Sequence, residues 1–266
     1  MYGLVSTAVA LGLIVGTPQT SQAIPFIDLL FRGIQVIQLS SISDRQEVEI
    51  GGQINQQLVQ QEIDLYNNSG IKNYINDIGQ KLVPYSARPD IPYVFQVVED
   101  DQVNAFATMG GYVYVTTGLI AAADNEAELA SVISHEIGHI ASRHAVEQLR
   151  ERAIASGLLT ATGLDRSDAV GIGVELAVRR PNSRQDELEA DEKGLSNLVQ
   201  AGYAPGAMVT FMEKLLNQGS IPAFLSTHPA TNTRIERLNA LIDPATANSG
   251  AGLDNNAYRN RIQALL

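Results

Sequence analysis

Apolar residues recur at helical spacing over most of this chain and at strand spacing in one short region. Residues 47–66 are polar and Gln-rich with Ile and Leu every three or four positions, and residues 71–82 repeat the pattern, so two helices are expected there. Residues 93–98 and 102–107 are rich in β-branched and aromatic side chains. Gly110-Gly111 is a turn signal before the alternating Tyr112-Val113-Tyr114-Val115, and together these read as a small sheet. Leu129, Val132, Ile133, Ile137 and Ile140 form a helical stripe, with Asp124, Glu126 and Glu128 at its start, where the helix dipole favours acids. The spacing predicts a helix over about 125–152, and further helices around Glu187, over 205–216 and over 232–242. The expected fold is mainly α with a small β-sheet, an α+β architecture.

Punctuation divides the rest. Glycines 157, 163, 171 and 173 interrupt small apolar residues, and Asp165, Arg166 and Asp168 break them further. A flexible loop with short helices is expected over 153–182, lying above a cleft. One domain is expected over 46–245, preceded by an apolar segment at 24–45 and followed by a loosely attached tail at 246–266. Residues 3–16 are apolar and uncharged, and Ser21-Gln22-Ala23 is a small-x-small cleavage site, so residues 1–23 read as an export signal. No Lys or Arg precedes the apolar run, which is atypical, and about fourteen residues are short for an uncleaved span.

Composition narrows the classes. A formal net charge of -11 and a pI near 4.8 argue against nucleic-acid binding and supply no basic patch for anionic lipid. Peripheral membrane association is left to the apolar N-terminal segment. With 0 Cys there is no disulfide and no lipid-attachment cysteine, so a lipoprotein is excluded, and the export signal makes a periplasmic or otherwise exported protein the expectation.

The chemistry concentrates in His135-Glu136-Ile137-Gly138-His139. At about 100° per residue the two histidines lie roughly 40° apart on one helix face, so two ring nitrogens can converge on one metal. Glu136, one step round, is placed to take a proton from a zinc-activated water and pass it to a leaving amine. A metzincin would carry Gly at 142 and His at 145, where this chain has Ser142 and Ala145. A di-iron bundle would need a second Glu-x-x-His, and none exists. On an unbroken helix His144 points away from the metal face, as a surface histidine or one in a second layer.

A catalytic zinc takes three protein ligands, so one more is required. The best candidate is Glu187, with Asp191 one turn later on the same face, placed to accept a hydrogen bond from the far nitrogen of a ligand histidine. Ala190 between them is small enough for close helix packing. A solvated acidic helix face is the alternative for this stretch.

These residues carry a resemblance. The 135–139 motif with Arg143-His144, then Glu187-Leu188-Glu189-Ala190-Asp191, resembles the signature of the gluzincin HExxH zinc metallopeptidases that include HtpX, the CAAX prenyl proteases and the periplasmic proteases LoiP and BepA. Asn104-Ala105-Phe106-Ala107 with Gly110-Gly111-Tyr112-Val113-Tyr114-Val115 is similar to the strand-turn-strand before that family's zinc helix. Thr227-His228-Pro229-Ala230-Thr231 with Arg234 is similar to its C-terminal His-Pro motif. The resemblance covers about residues 50–243. No tetratricopeptide array follows in this sequence, unlike the larger BepA proteins.

The resemblance implies a zincin-like domain in which His135, His139 and Glu187 bind one Zn2+ per chain, Glu136 is the general base and Asp191 orients a ligand. It implies that the strand at Asn104, Ala105, Phe106 and Ala107 pairs with an extended substrate. His228 and Arg234 have three open roles: cations that stabilise the oxyanion, an imidazole that occupies the open metal position at rest, or a helix-opening turn. The expected function is a zinc metalloendopeptidase acting on unfolded or damaged envelope proteins. The alternative is a non-proteolytic chaperone or assembly factor for outer-membrane proteins using the same site.

Overall fold

The computed structural model of the protein describes residues 36–37, 41–158, 163–179, 182–217, 222–229 and 232–266. The expected export signal at 1–23, and the apolar segment as far as residue 35, lie outside the described residues. Strand β1 (Val36–Ile37) is followed by α1 (Asp44–Gln61), which opens on a reciprocal capping box between Ser43 and Gln46. Next comes α2 (Ser69–Leu82), with the Asn68 side chain accepting from the Ile71 amide.

Strands β2 (Val94–Val98), β3 (Ala105–Thr108) and β4 (Tyr112–Thr116) form one sheet in the order β2-β4-β3, with β2 parallel and β3 antiparallel to β4. The tight connection between β3 and β4 needs Gly110 (φ 79) and Gly111 (φ 98), a backbone region that side chains with a Cβ avoid. Along β4 the period of two divides the residues between two cores. Val113 and Val115 enter the larger core, while Tyr114 enters the smaller one and stacks on Phe106 with ring centroids 4.5 Å apart.

Helix α3 (Thr117–Ala122) leads into α4 (Glu126–Ser142), N-capped by Asn125. Every residue of α4 from Ala127 to Ala141 is buried, so it is the central helix of the domain. The helix expected to continue to about 152 instead ends at Arg143, whose φ of 61° and ψ of 28° are left-handed, and α5 (His144–Ala155) departs in a new direction. The Arg143 amide closes the helix on the His139 and Ile140 carbonyls. Its guanidinium reaches the Ile42 carbonyl at 2.6 Å and buried Glu47 at 3.1 Å, which holds the break in place.

Strand β5 (Leu164–Asp165) pairs with β1, and α6 (Arg166–Arg179) follows. The stretch expected as a flexible loop thus carries a fourteen-residue helix. Its Ala169, Val170, Ile172, Val174 and Leu176 are buried in the smaller core, against Ile50, Ile54 and Leu58 of α1. Of the glycines that suggested a loop, Gly173 serves that contact: a Cβ there would stand 2.3 Å from Ile54.

Helix α7 (Arg184–Gln200), with a Ser183–Asp186 capping box, lies against α4 at backbone distance. A Cβ on Gly138 would meet the Ala190 carbonyl oxygen at 2.6 Å, and one on Gly194 would meet the His135 backbone at 3.0 Å. The Ser134 hydroxyl donates to the Gly194 carbonyl at 2.7 Å across the same seam. Helices α8 (Gly206–Leu216), α9 (Ala223–Thr227), α10 (Asn232–Leu241) and α11 (Asn255–Arg261) complete the domain. The expected loose tail is docked: Tyr258 and Ile262 are each 1 % exposed, and the Tyr258 hydroxyl donates to the Ile120 carbonyl at 2.6 Å. Two apolar side chains one turn apart anchor an otherwise polar Asn-rich segment. Among the described residues no helix is long and apolar enough to cross a membrane.

Candidate metal centre

The close α4–α7 seam decides the geometry of the site. Gly138 and Gly194 let the helices approach until Glu187 on α7 stands over His135 and His139 on α4. The two histidine Nε2 atoms are 3.1 Å apart, and Glu187 oxygens lie 3.5 Å from His135 Nε2 and 3.3 Å from His139 Nε2. His228, at the C-terminal end of α9, adds its Nδ1 at 3.1 Å from Glu187 Oε1 and 3.4 Å from His135 Nε2. One donor atom from each of His135, His139, Glu187 and His228 falls within 4.8 Å of the others, and all four residues are buried. Three imidazoles and a carboxylate are a donor set that suits a borderline divalent ion.

Glu136 fits the same centre. It is 0 % exposed, and among the described residues neither of its carboxylate oxygens meets a donor in bonding geometry. His228 Nε2 stands 3.5 Å from Oε1. A buried carboxylate that accepts no hydrogen bond is costly, so its presence here points to chemistry at this spot. Burial raises its pKa, and the positive charges of His228 and His135 oppose that rise.

An outer layer holds the donors. Asp191, one turn after Glu187, has Oδ1 3.0 Å from His135 Nδ1. The Arg234 guanidinium donates to both Asp191 oxygens at 2.7 Å and to Glu187 Oε2 at 2.5 Å. Arg234 is 3 % exposed and is paired with both carboxylates. His144 Nδ1 lies 2.8 Å from His139 Nδ1. Unbroken helical spacing turns this histidine away from the metal face, and the Arg143 break returns it beneath the site. Phe224 stacks on the His228 ring at 4.5 Å, and the Asn182 amide lies 3.2 Å from its Nδ1. Neither residue was visible from sequence, because Phe224 comes from a five-residue helix and Asn182 from the connection before α7.

Strand β3 is the outer strand of its sheet, and Phe106 and Ala107 line the same cavity as Glu136, His139, His228 and Leu176 of α6. Ala105 is fully buried in the larger core. Asn104 precedes the strand; its amide donates to Thr116 Oγ1, and its carbonyl accepts from the same hydroxyl, so its backbone is committed to β4.

The two facing histidines titrate in opposite directions. Burial pulls both down, but hydrogen bonds and charge from Asp191 and Glu187 outweigh it at His135, whose pKa is raised to about 9. At His139 burial prevails, and the pKa is lowered to about 3. The raised group contributes stability that is complete below about pH 6.5 and lost as pH rises through 9. The depressed one contributes stability that is complete above about 6.5 and lost toward 3. Burial alone would raise Glu187 and Asp191, but their cationic partners hold both below the usual carboxylate range, adding a loss in acid. The melting temperature of chelator-treated protein should therefore peak near pH 6.5, and excess divalent metal should flatten the alkaline side by replacing the His135 proton. Thermal melts from pH 5 to 9 check this; a steady rise to pH 9 would contradict it.

The sequence profile of Peptidase family M48 matches residues 71–242. The chain is 33 % identical over 213 residues to the "Beta-barrel assembly-enhancing protease" of Escherichia coli (strain K12), covering 74 % of this chain and 44 % of that protein. Against the protein of the same name from Yersinia pestis it is 30 % identical over 267 residues, covering 92 % and 54 %. Against the "Mitochondrial metalloendopeptidase OMA1" of Arabidopsis thaliana it is 38 % identical over 145 residues, covering 53 % and 30 %. The chain spans about half the length of the curated beta-barrel assembly-enhancing proteases it matches. The profile takes in α4, α7 and α10 together, the helices that carry the convergent histidines, Glu187, Asp191 and Arg234, and the chain belongs to Peptidase family M48.

Proposed function

We propose that this chain is a zinc metalloendopeptidase. The observation that carries the reading is the convergence of His135, His139, Glu187 and His228 beside the Glu136 carboxylate, which accepts no hydrogen bond among the described residues. His135, His139 and Glu187 would hold the ion, which when bound supplies a Lewis acid and lowers the pKa of a water toward neutrality. Glu136 would take a proton from water there and deliver it to the leaving amine, and burial, which raises its pKa, favours the protonated form through which it passes. Asp191 fixes the His135 ring, and Arg234 holds Asp191 and Glu187 in register.

His228 stands against both Glu187 and Glu136, where a substrate carbonyl would have to enter. This arrangement fits a resting, latent site with all its positions filled by side chains. A substrate displaces His228, whose imidazole is then free to meet the developing oxyanion.

The outer strand β3 offers main-chain groups to an extended segment, a mode of binding that reads little side-chain identity and selects unfolded or loosely held chain. Misfolded or damaged proteins of an exported compartment are the substrates this favours. The name of the bacterial relatives, beta-barrel assembly-enhancing protease, favours a second, assembly-related role at the same surface.

Purified protein is expected to carry one zinc per chain by metal analysis and to hydrolyse casein, with the activity lost on chelation and restored by zinc. Protein that binds no metal under these conditions overturns the reading.

A further inference from the structure

We propose that His144 is a positioning residue for His139: its Nδ1 accepts the His139 Nδ1–H and so sets the tautomer and ring plane that present His139 Nε2 to the metal centre. This inference rests on the metallopeptidase reading and adds to it a residue outside the donor set.

The two Nδ1 atoms are 2.8 Å apart, and both rings are buried. At that separation one nitrogen carries the proton and the other the lone pair. The direction follows from the other side of the His139 ring, where Nε2 faces His135 Nε2 at 3.1 Å and Glu187 Oε1 at 3.3 Å, inside the donor cluster. A neutral imidazole that offers Nε2 as a lone pair carries its hydrogen on Nδ1, so His139 donates and His144 accepts. His144 then carries its own hydrogen on Nε2, which lies 3.4 Å from Glu189 Oε2. Glu189 is anchored by Lys193 at 2.7 Å, and Lys193 also donates to the Ser142 hydroxyl at 2.9 Å. One requirement at Nε2 of His139 thus fixes the proton order along His139, His144 and Glu189.

The two α4 histidines are therefore oriented by different means. His135 leans directly on the Asp191 carboxylate, while His139 leans on a neutral ring. The backbone is arranged for the second contact. Residue 144 is five positions past 139, roughly 140° round a continuous helix, so the contact requires the left-handed turn at Arg143. The ring centroids stand 4.9 Å apart at an interplanar angle of 70°.

The test is zinc affinity by chelator competition on the purified protein, with the visible spectrum of the cobalt-substituted form alongside. His144→Leu removes the acceptor, whereas Asn places its Oδ1 where Nδ1 stood. His144→Leu should weaken zinc about 10–100-fold and alter the cobalt spectrum, and His144→Asn should restore most of both. Zinc bound as tightly by His144→Leu as by the parent overturns the proposal, and so does an Asn variant as weak as the Leu one. Should the Leu variant fail to fold, Glu189→Ala, on the exposed outer link, decides: a severalfold loss supports the proposal and unchanged affinity overturns it. A parent protein that binds no zinc would instead undo the metallopeptidase reading itself.

Discussion

Glu136→Gln is expected to lower casein hydrolysis by about 10²–10⁴-fold while zinc binding and folding persist, the range that a positioned proton-transfer group contributes. The side chain is fully buried, and among the described residues its oxygens meet no donor in bonding geometry, so the substitution breaks no hydrogen bond that supports the fold. It also removes a charge that burial disfavours, since desolvation leads the causes that raise this carboxyl. The melting temperature should stay level or rise. That combination separates the chemical role from a structural one, because a residue that held the fold would lower both readouts. Metal content, hydrolysis rate and a thermal melt on the same preparation decide the matter. Hydrolysis at the parent rate with metal retained would remove Glu136 from the reaction.

The parts of this molecule that were legible in the sequence are those set within one element or by a short spacing. His135 and His139 share a face because a helix turns by a fixed angle, and Asp191 follows Glu187 by one turn for the same reason. The strand pattern of β4 was readable because its residues alternate between two apolar cores. What escaped depends on single backbone events and long-range seams. Arg143 in the left-handed region turned a predicted long helix into two and moved His144 from the far face to the site. Nothing local announces this, because the support comes from Glu47 and Ile42, about a hundred positions earlier. Gly138 and Gly194 carry no signal in the helical spacing, yet they set how close α4 and α7 come. The glycines of 153–182 misled: they suggested a loop where Gly173 in fact admits Ile54 of α1. Arg234 was recognisable as a residue of interest, but its partners became evident only once α10 was seen against α7.

That same long-range arrangement makes Glu187→Ala the substitution with the largest expected cost to the fold. Glu187 is 0 % exposed and meets His135, His139, His228 and Arg234. Removing one partner of a buried ion pair costs about 3–5 kcal/mol, because the partner left behind is charged and out of water. Arg234 cannot shed its charge, so its remaining neutralisation falls to Asp191, to which it donates twice. His135, which owes part of its raised pKa to Glu187, should titrate lower. For a domain of this size each kcal/mol moves the melting temperature by about 2–4 °C, so metal-free protein should melt about 6–20 °C lower. Zinc should no longer rescue it, because a metal stabilises the fold only in proportion to its affinity for the native site. Arg234→Met in the same background provides the internal control: with the buried cation that lost a carboxylate gone, part of the lost stability should return while metal binding stays absent. A Glu187→Ala protein that melts within about 2 °C of the parent would mean that the other partners of Arg234, Asp191 and the His228 and Pro229 carbonyls among them, satisfy it without Glu187, on the same scale of degrees per kcal/mol. Glu187 would then answer to the metal and hardly at all to the fold.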